Sequence, residues 1–353
     1  MALQEINNIE IVGIAAAVPK YVEYNLECEI IGSIEDREKF IETTGIVSRH
    51  IVGDSCIRTS DMCYEAAEKL ISELRWIKEE IDCLIFVSQT GDYIFPATSC
   101  ILQSKLGLSK ECFTLDINLG CSGWIHGLTT ISALMQNGCF KKGLLLVGDT
   151  SSLTKSKKDK SSYPLFGDAG TATALIYKVG ASGIRVHTST DGDGADSIII
   201  PDGGFRNMTT IDSFREEEFE NGICRTRLDT RLDGAAVFTF GITQAPRSVK
   251  KLREVFGNDI ANVDYYILHQ ANKILTERVR KKIGADLEQT PYSLDEYGNT
   301  SCSSIPLTIV TRIQKEVMSR KCALLATAFG VGLSWGSVYF EINKIVCPSI
   351  ILI

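Results

Sequence analysis

The chain has 353 residues, 44% hydrophobic and 23% charged, the balance of an ordinary globular protein large enough for two domains or one big α/β unit. Its net charge of −7 argues against nucleic acid or an anionic membrane as the main partner. No apolar run approaches the ~20 residues of a membrane span, which excludes a helical membrane protein.

In chain order, IEIVGIAAAV (9–18) reads as a first apolar strand, and YEAAEKLISEL as a helix leading into the strand IDCLIFVSQT (81–90). CFTLDIN is a further strand, and SGWIHGLTTISALMQNG a helix, with Ile125, Leu128, Ile131 and Leu134–Met135 at helical spacing and Gly138 as its C-cap. KKGLLLVGDT and LFGDAGTATALIY follow as two apolar strands around a glycine-rich turn. The pattern then repeats. GIRVHTST (183–190) resembles the first strand, APRSVKKLREVF precedes VDYYILHQAN (263–272), and RKCALLATAFGVGLSWGSVYFEI carries two strands around a glycine-rich turn. SSIPLTIVTRIQKEVM opens a helix with Pro306 in its first turn. Strands alternating with helices predict a layered α/β fold of two similar halves, 1–180 and 181–353, with the active site at their interface. The N-terminus, MALQEINNIE, has no basic region followed by an apolar one, and the 12 cysteines contain no C-x-x-C pair, so reduced thiols in a cytoplasm are expected. The apolar tail VCPSIILI is expected to pack on the body or at a subunit contact.

One cysteine stands apart. In DINLGCSGW, Cys121 lies at a strand-to-helix turn, where free N–H groups and the helix dipole favour a thiolate. The flanking Gly120 and Gly123 are expected to leave room for a substrate carbonyl, and the Cys121 N–H to face an oxyanion. Of the four histidines, His50 and His187 fit surface or structural roles, and His126, five residues into the Cys121 helix, is expected to point its ring elsewhere. His269 ends an apolar strand and opens a polar turn, the end of an α/β sheet where catalytic groups gather, although a satisfied core histidine fits the same pattern. Asn299, in YGNTSCSSIP, offers an amide from a tight turn or merely shapes that turn. FGVGLSWG (329–336) supplies backbone N–H groups suited to an oxyanion hole, or is an ordinary β-turn.

Taken together, Cys121 in DINLGCSGW, His269 in LHQANKIL, Asn299 in YGNTSCSSIP and the loop AFGVGLSWGS resemble the β-ketoacyl-acyl-carrier-protein synthase III branch of the thiolase superfamily. FIETTGIVSRHI, YIFPATSCILQSKLGL, LFGDAGTATALI and TSTDGDGADSIIIPDGG extend the likeness over nearly the whole chain. The resemblance implies a thiolase-like, five-layered αβαβα fold and a homodimer in which Phe95 helps wall the partner's acyl pocket. It implies that Cys121 takes an acyl group from an acyl-CoA, and that malonyl-acyl carrier protein then binds. His269 and Asn299 stabilise the enolate formed on decarboxylation, and the N–H groups of Cys121 and Val331 form the oxyanion hole. Trp124, Asn272, Phe329 and Gly330 are expected along the acyl and pantetheine pocket, with further walls around residues 205–225. No cofactor and no metal are implied.

The chain departs from that family at several points. Lys39 and Thr43 occupy the places where fatty-acid-initiating members carry the Trp and Arg that hold the CoA adenine, so that contact is missing. Lys160, in the lysine-rich TKSKKDKSS, falls near a phosphate-contacting Arg of relatives; this loop is either a solvated charged segment or a basic rim for the acidic helix of a carrier protein. Val331 replaces a glycine of the oxyanion turn. The main expectation is a condensing enzyme that initiates fatty-acid chains. The alternatives are a relative using another acyl donor in polysaccharide, lipid or secondary-metabolite synthesis, a papain-like Cys-His-Asn hydrolase, and a silent carrier-binding module.

Overall fold

The computed structural model describes residues 3–257, 260 and 262–353. The first sheet runs in the order Ile351–Leu352, Ile9–Val18, Ala169–Tyr177, Lys142–Asp149, Cys83–Val87 and Phe113–Ile117. The second runs Leu3–Ile6, Ile184–Thr190, Ser334–Asn343, Lys321–Gly330 and Tyr265–Leu268. Apart from the outermost strands, the two orders and their parallel or antiparallel pairings correspond. The internal likeness of the sequence is therefore a likeness of topology. The chain ends cross over: Leu3–Ile6 edges the second sheet, and the tail strand Ile351–Leu352 pairs with Ala17–Val18 of the first.

The aspartate that opens each repeat has a structural task. Asp82 accepts hydrogen bonds from the backbone N–H groups of Lys141 and Lys142 (2.6 and 3.1 Å), and Asp264 from that of Ala323 (2.7 Å). Each carboxylate thus fixes the register at which the next parallel strand begins. Where the first sheet continues into Phe113–Ile117, the second presents only Gln289, which bonds Tyr266 and Val263.

Helices occupy three layers. Thr59–Leu74 lies outside the first sheet, burying Met62, Cys63, Ala66, Ala67, Leu70 and Ile71, a one-faced stripe at three- and four-residue spacing. Gly234–Phe256 and Lys273–Ile283 cover the outside of the second sheet. Between the sheets lie Gly123–Met135 and Ser304–Arg312, apolar almost all round, as a helix buried on every side must be. The expected helix beginning at 304 stops at Arg312, and a separate short helix, Gln314–Ser319, follows. The result is an αβαβα sandwich of the thiolase type. Both central helices start at the same end, where the two halves meet. Among the described residues, no helix is long and apolar enough to cross a membrane.

Candidate active site

The chain leaves strand Phe113–Ile117 at the sheet edge, turns, and enters helix Gly123–Met135; Cys121 is in that turn and 9% exposed. It lines a cavity of about 350 Å³ together with His269, Asn299, Phe329, Gly330 and Val331. Residues separated by more than half the chain therefore converge on one cavity. Gly120 and Gly123, expected from the sequence to leave space for a substrate carbonyl, do not do so. A Cβ at those positions would meet Gln89 Oε1 at 2.3 Å and Val87 Cγ1 at 2.7 Å, so both glycines permit close packing of the turn.

His269 follows strand Tyr265–Leu268, and its N–H donates to Thr327 O at 2.9 Å. Its Nδ1 lies 2.8 Å from Ser304 Oγ, and its ring meets Phe329 edge-on at 5.8 Å. Burial pushes the imidazole down to about 3, so it is neutral at physiological pH. Asn299 is held by its backbone: its N–H donates to Leu165 O (2.8 Å) and its carbonyl accepts from Gly167 N–H (3.1 Å). Its Oδ1 accepts from Ser301 N–H at 2.9 Å, which assigns the amide orientation and leaves Nδ2 without an acceptor among the described residues. The loop LFGD of the first half thus clamps the Asn299 loop of the second.

The Val331 turn is tied to the Cys121 turn. Ser334 Oγ donates to Val331 O (2.8 Å), and Ser122 Oγ lies 2.7 Å from Ser334 Oγ. The N–H groups of Cys121 and Val331 find no carbonyl or side-chain oxygen among the described residues, which leaves both for a ligand. A Cβ on Gly330 would lie 2.6 Å from Cys121 Cβ, so only glycine lets this hairpin approach Cys121 so closely.

Two opposing sets of groups act on the thiol. Burial, then the Asp149 carboxylate, push Cys121 up to about 11. The Ser301 hydroxyl, its own backbone N–H and the Lys155 ammonium pull the other way, and the helix start beside it adds to these. Asp149 is saturated, accepting from Ser88 Oγ, Gln89 N–H, Thr90 Oγ1 and Cys302 Sγ.

Sequence reasoning missed Ser301 and Lys155. Ser301 has φ +51°, unusual for a residue with a side chain, and this turns its hydroxyl toward Cys121. Lys155 belongs to the lysine-rich loop read as either solvated or a basic rim; it is neither, being 9% exposed and lining the cavity. Lys157 and Lys158 are exposed in that loop.

Other expected pocket residues lie elsewhere. Trp124 does not line the cavity: it is fully buried beneath the cavity turn, donating Nε1–H to Thr173 Oγ1 (3.1 Å) and packing on Phe340, because the second residue of helix Gly123–Met135 points into the space between the sheets. Asn272 is the N-cap of helix Lys273–Ile283, accepting from Leu275 N–H (2.9 Å), and does not line the cavity. Among the described residues, none of 205–225 lines it; the walls come from Ile198–Ile200, Leu232 and Val237. Phe95 is 80% exposed and outside its own chain's cavity. Lys39 and Thr43 are exposed on helix Ile34–Thr44, and Lys160 is half-buried, near enough to Asp36 for their charges to interact.

His50 stacks on Tyr297, and His187 bonds Ser248, so both are structural. His126 bonds back to Ser122 O within its helix.

Family models described as 3-oxoacyl-[acyl-carrier-protein] synthase III match residues 115–195, and as its C-terminal part, residues 256–342. The chain is 31% identical over 340 residues to a β-ketoacyl-[acyl-carrier-protein] synthase III of Clostridium acetobutylicum, covering 96% of this chain and 100% of that protein. The crystal structure of a 3-oxoacyl-(acyl-carrier protein) synthase from Burkholderia xenovorans superposes with a TM-score of 0.92 at 34% identity, covering 99% of each chain. The synthase III of Pseudomonas aeruginosa superposes with 0.83 at 25% identity, covering 96% of this chain and 100% of that one.

Proposed function

The chain belongs to the 3-oxoacyl-[acyl-carrier-protein] synthase III family, and on that premise we propose that Cys121 carries the acyl group while His269 and Asn299 drive decarboxylative condensation. The observation that carries this reading is the single cavity in which Cys121, a neutral His269 and the free Asn299 amide meet two unpaired backbone N–H groups. The enzyme is an acyltransferase of this family's type.

In the first step Cys121 sulfur attacks the carbonyl carbon of an acyl thioester. The oxyanion faces the N–H groups of Cys121 and Val331, the C–S bond to the donor breaks, and the departing thiolate leaves with the proton lost by Cys121. In the second step malonyl-acyl carrier protein places its thioester carbonyl against His269 and Asn299. The bond to the carboxylate breaks, CO₂ leaves, and the electron pair becomes an enolate held by both donors. An imidazolium would be consumed as an acid, so a histidine held neutral by burial suits this donor role. The enolate carbon then attacks the acyl-cysteine, sulfur departs, and 3-oxoacyl-acyl carrier protein is released.

Two partner assignments accompany this reading. Lys39 and Lys160 are each near enough to Asp36 to act on its charge, and as a basic pair they would suit the acidic surface of a carrier protein. Strand Phe113–Ile117 is a sheet edge with Phe113 and Leu115 each 38% exposed, and Tyr93, Ile94 and Phe95 are exposed as well. An open apolar edge beside exposed aromatics favours a homodimer built across this strand, with Phe95 reaching the partner.

The reading is tested by intact-protein mass spectrometry after incubation with acyl-CoA and acyl-carrier donors, followed by malonyl-acyl carrier protein. A single adduct is expected, absent in Cys121→Ala. Asn299→Ala is expected to lose ~10²–10³ in CO₂ release. Acylation that persists in Cys121→Ala sinks the assignment.

A further inference from the structure

Lys155 is a cation built into the active-site cavity. It is 9% exposed and lines the same space as Cys121. Its Nζ donates to Thr154 Oγ1 (2.8 Å) and Thr230 Oγ1 (3.1 Å) and lies 4.2 Å from the centre of the Phe166 ring. Both threonine hydroxyls spend their own protons on backbone carbonyls, Thr154 on Ser151 O and Thr230 on Thr154 O. Their lone pairs are thereby turned to the ammonium, and its third N–H has no acceptor among the described residues.

No carboxylate lies within ion-pairing distance of this ammonium among the described residues. The nearby acids are engaged elsewhere. Asp149 has four donors, Asp168 accepts from Val52 N–H and from Ser152 N–H and Oγ, and Asp159 pairs with Arg225 at 2.8 Å. These acids still act on Lys155 at a distance; burial outweighs the pull of Asp149, Cys121, Asp168 and Asp159, and the ammonium is brought down to about 8. It therefore stays charged at neutral pH. A buried cation left without a counter-ion is costly, and the cost falls if a ligand supplies one. The cavity wall also carries the polar Gln89, Thr90, Asn118, Ser151 and the already engaged Asp149, and an apolar stretch of Ile198, Ile200, Leu232, Val237 and Phe329.

We propose that the cavity selects an acyl donor that carries a carboxylate, a monothioester of a dicarboxylic acid, with Lys155 as the residue that recognises it. This rests on the reading of Cys121 as the acyl carrier. A carboxylate could instead come from the malonyl extender, but an ammonium fixed on that group stabilises the charge that must be lost as neutral CO₂. It would slow the step the site exists to perform. The donor's carboxylate, which survives the reaction, meets no such conflict, and the methylenes between it and the thioester match the apolar wall.

The test uses pantetheine thioesters, so that recognition of the CoA adenine or of a carrier does not enter. Succinyl- and glutaryl-pantetheine are compared with pentanoyl- and hexanoyl-pantetheine, and the rate of adduct formation on Cys121 is followed by intact mass. Wild-type protein is expected to favour the carboxylated donors by about 10- to 100-fold, the range of a charged hydrogen bond. In Lys155→Met that ratio is expected to fall to one or invert. Free succinate should also protect wild-type Cys121 from iodoacetamide, a measurement that stands even if the variant does not fold.

A wild-type preference for the neutral donors, or none, overturns the inference. So does a Lys155→Met effect of equal size on all donors, which would make Lys155 a thiol-activating group, or an effect confined to CO₂ release from malonyl-pantetheine, which would assign it to the extender. If no donor forms an adduct while iodoacetamide still labels Cys121, the acyl-enzyme reading itself fails, and this inference with it.

Discussion

Replacing Gly330 by alanine adds one methyl group to the wall of the nucleophile. The new Cβ would stand 2.6 Å from Cys121 Cβ and 2.8 Å from its Sγ. Carbon atoms in contact ordinarily sit ~3.5–4.0 Å apart, so the two turns must separate by about 1 Å. No rotamer relieves this, because one of the clashing atoms is the cysteine Cβ itself. The hairpin also carries Val331 N–H, so the shift moves the oxyanion hole relative to the sulfur. A misplacement of about 1 Å costs ~10²-fold in rate, near 2.7 kcal/mol of barrier, alongside ~1–3 kcal/mol of stability from overpacking. The assay is the rate of acyl adduct formation on Cys121, read with thermal unfolding of the same samples. Gly192→Ala, where an added Cβ meets nothing within 4 Å, is the control and should acylate as wild type does. If folded Gly330→Ala acylates within threefold of wild type, the close approach described here does not control the site.

Three further expectations follow from the same geometry. His269 is held at about 3 against ~6.5 in an unfolded chain, so the unfolded state binds a proton first. Its contribution is intact above ~6.5 and is lost as pH falls toward 3, at about 1.4 kcal/mol per unit; urea midpoints at pH 7.5 and 5 should therefore diverge more in wild type than in His269→Gln, and equal divergence would count against it. Trp124→Ala should cost ~3–5 kcal/mol of stability by emptying the space between the sheets, whereas Trp124→Phe should leave the order of preference among acyl donors as it is, a result that a changed donor profile would contradict. Leu115→Lys on the open edge strand should shift the protein from dimer to monomer in sedimentation, and a variant that sediments like wild type removes this strand from the interface.

The residues that share the cavity, Cys121, His269 and Asn299, could be singled out in the sequence because each stands in a local pattern that physical chemistry marks. Cys121 is distinguished by the change from strand to helix periodicity across a glycine-flanked turn, and His269 by its place where an apolar run ends. The repeat was readable for a similar reason: Asp82 and Asp264 each precede a strand, and each bonds a backbone N–H near the start of the neighbouring parallel strand. Trp124 was misplaced because one residue of rotation at a helix start decides whether a side chain faces cavity or core. The walls expected at 205–225 were misplaced because chain position says little about which loop folds over a site.

What the sequence determined by itself is the layered, duplicated architecture and the family to which the chain belongs, since these rest on periodicity and on residues adjacent in the chain. What only the tertiary structure decided is the electrostatic state and shape of the cavity. Lys155 looks like one more lysine of a charged loop until Thr230, 75 residues away, and Phe166 close around its ammonium. Burial and the orientation of neighbouring donors are properties of the assembled fold, and they set whether a lysine is a solvated surface charge or a counter-ion awaiting its ligand.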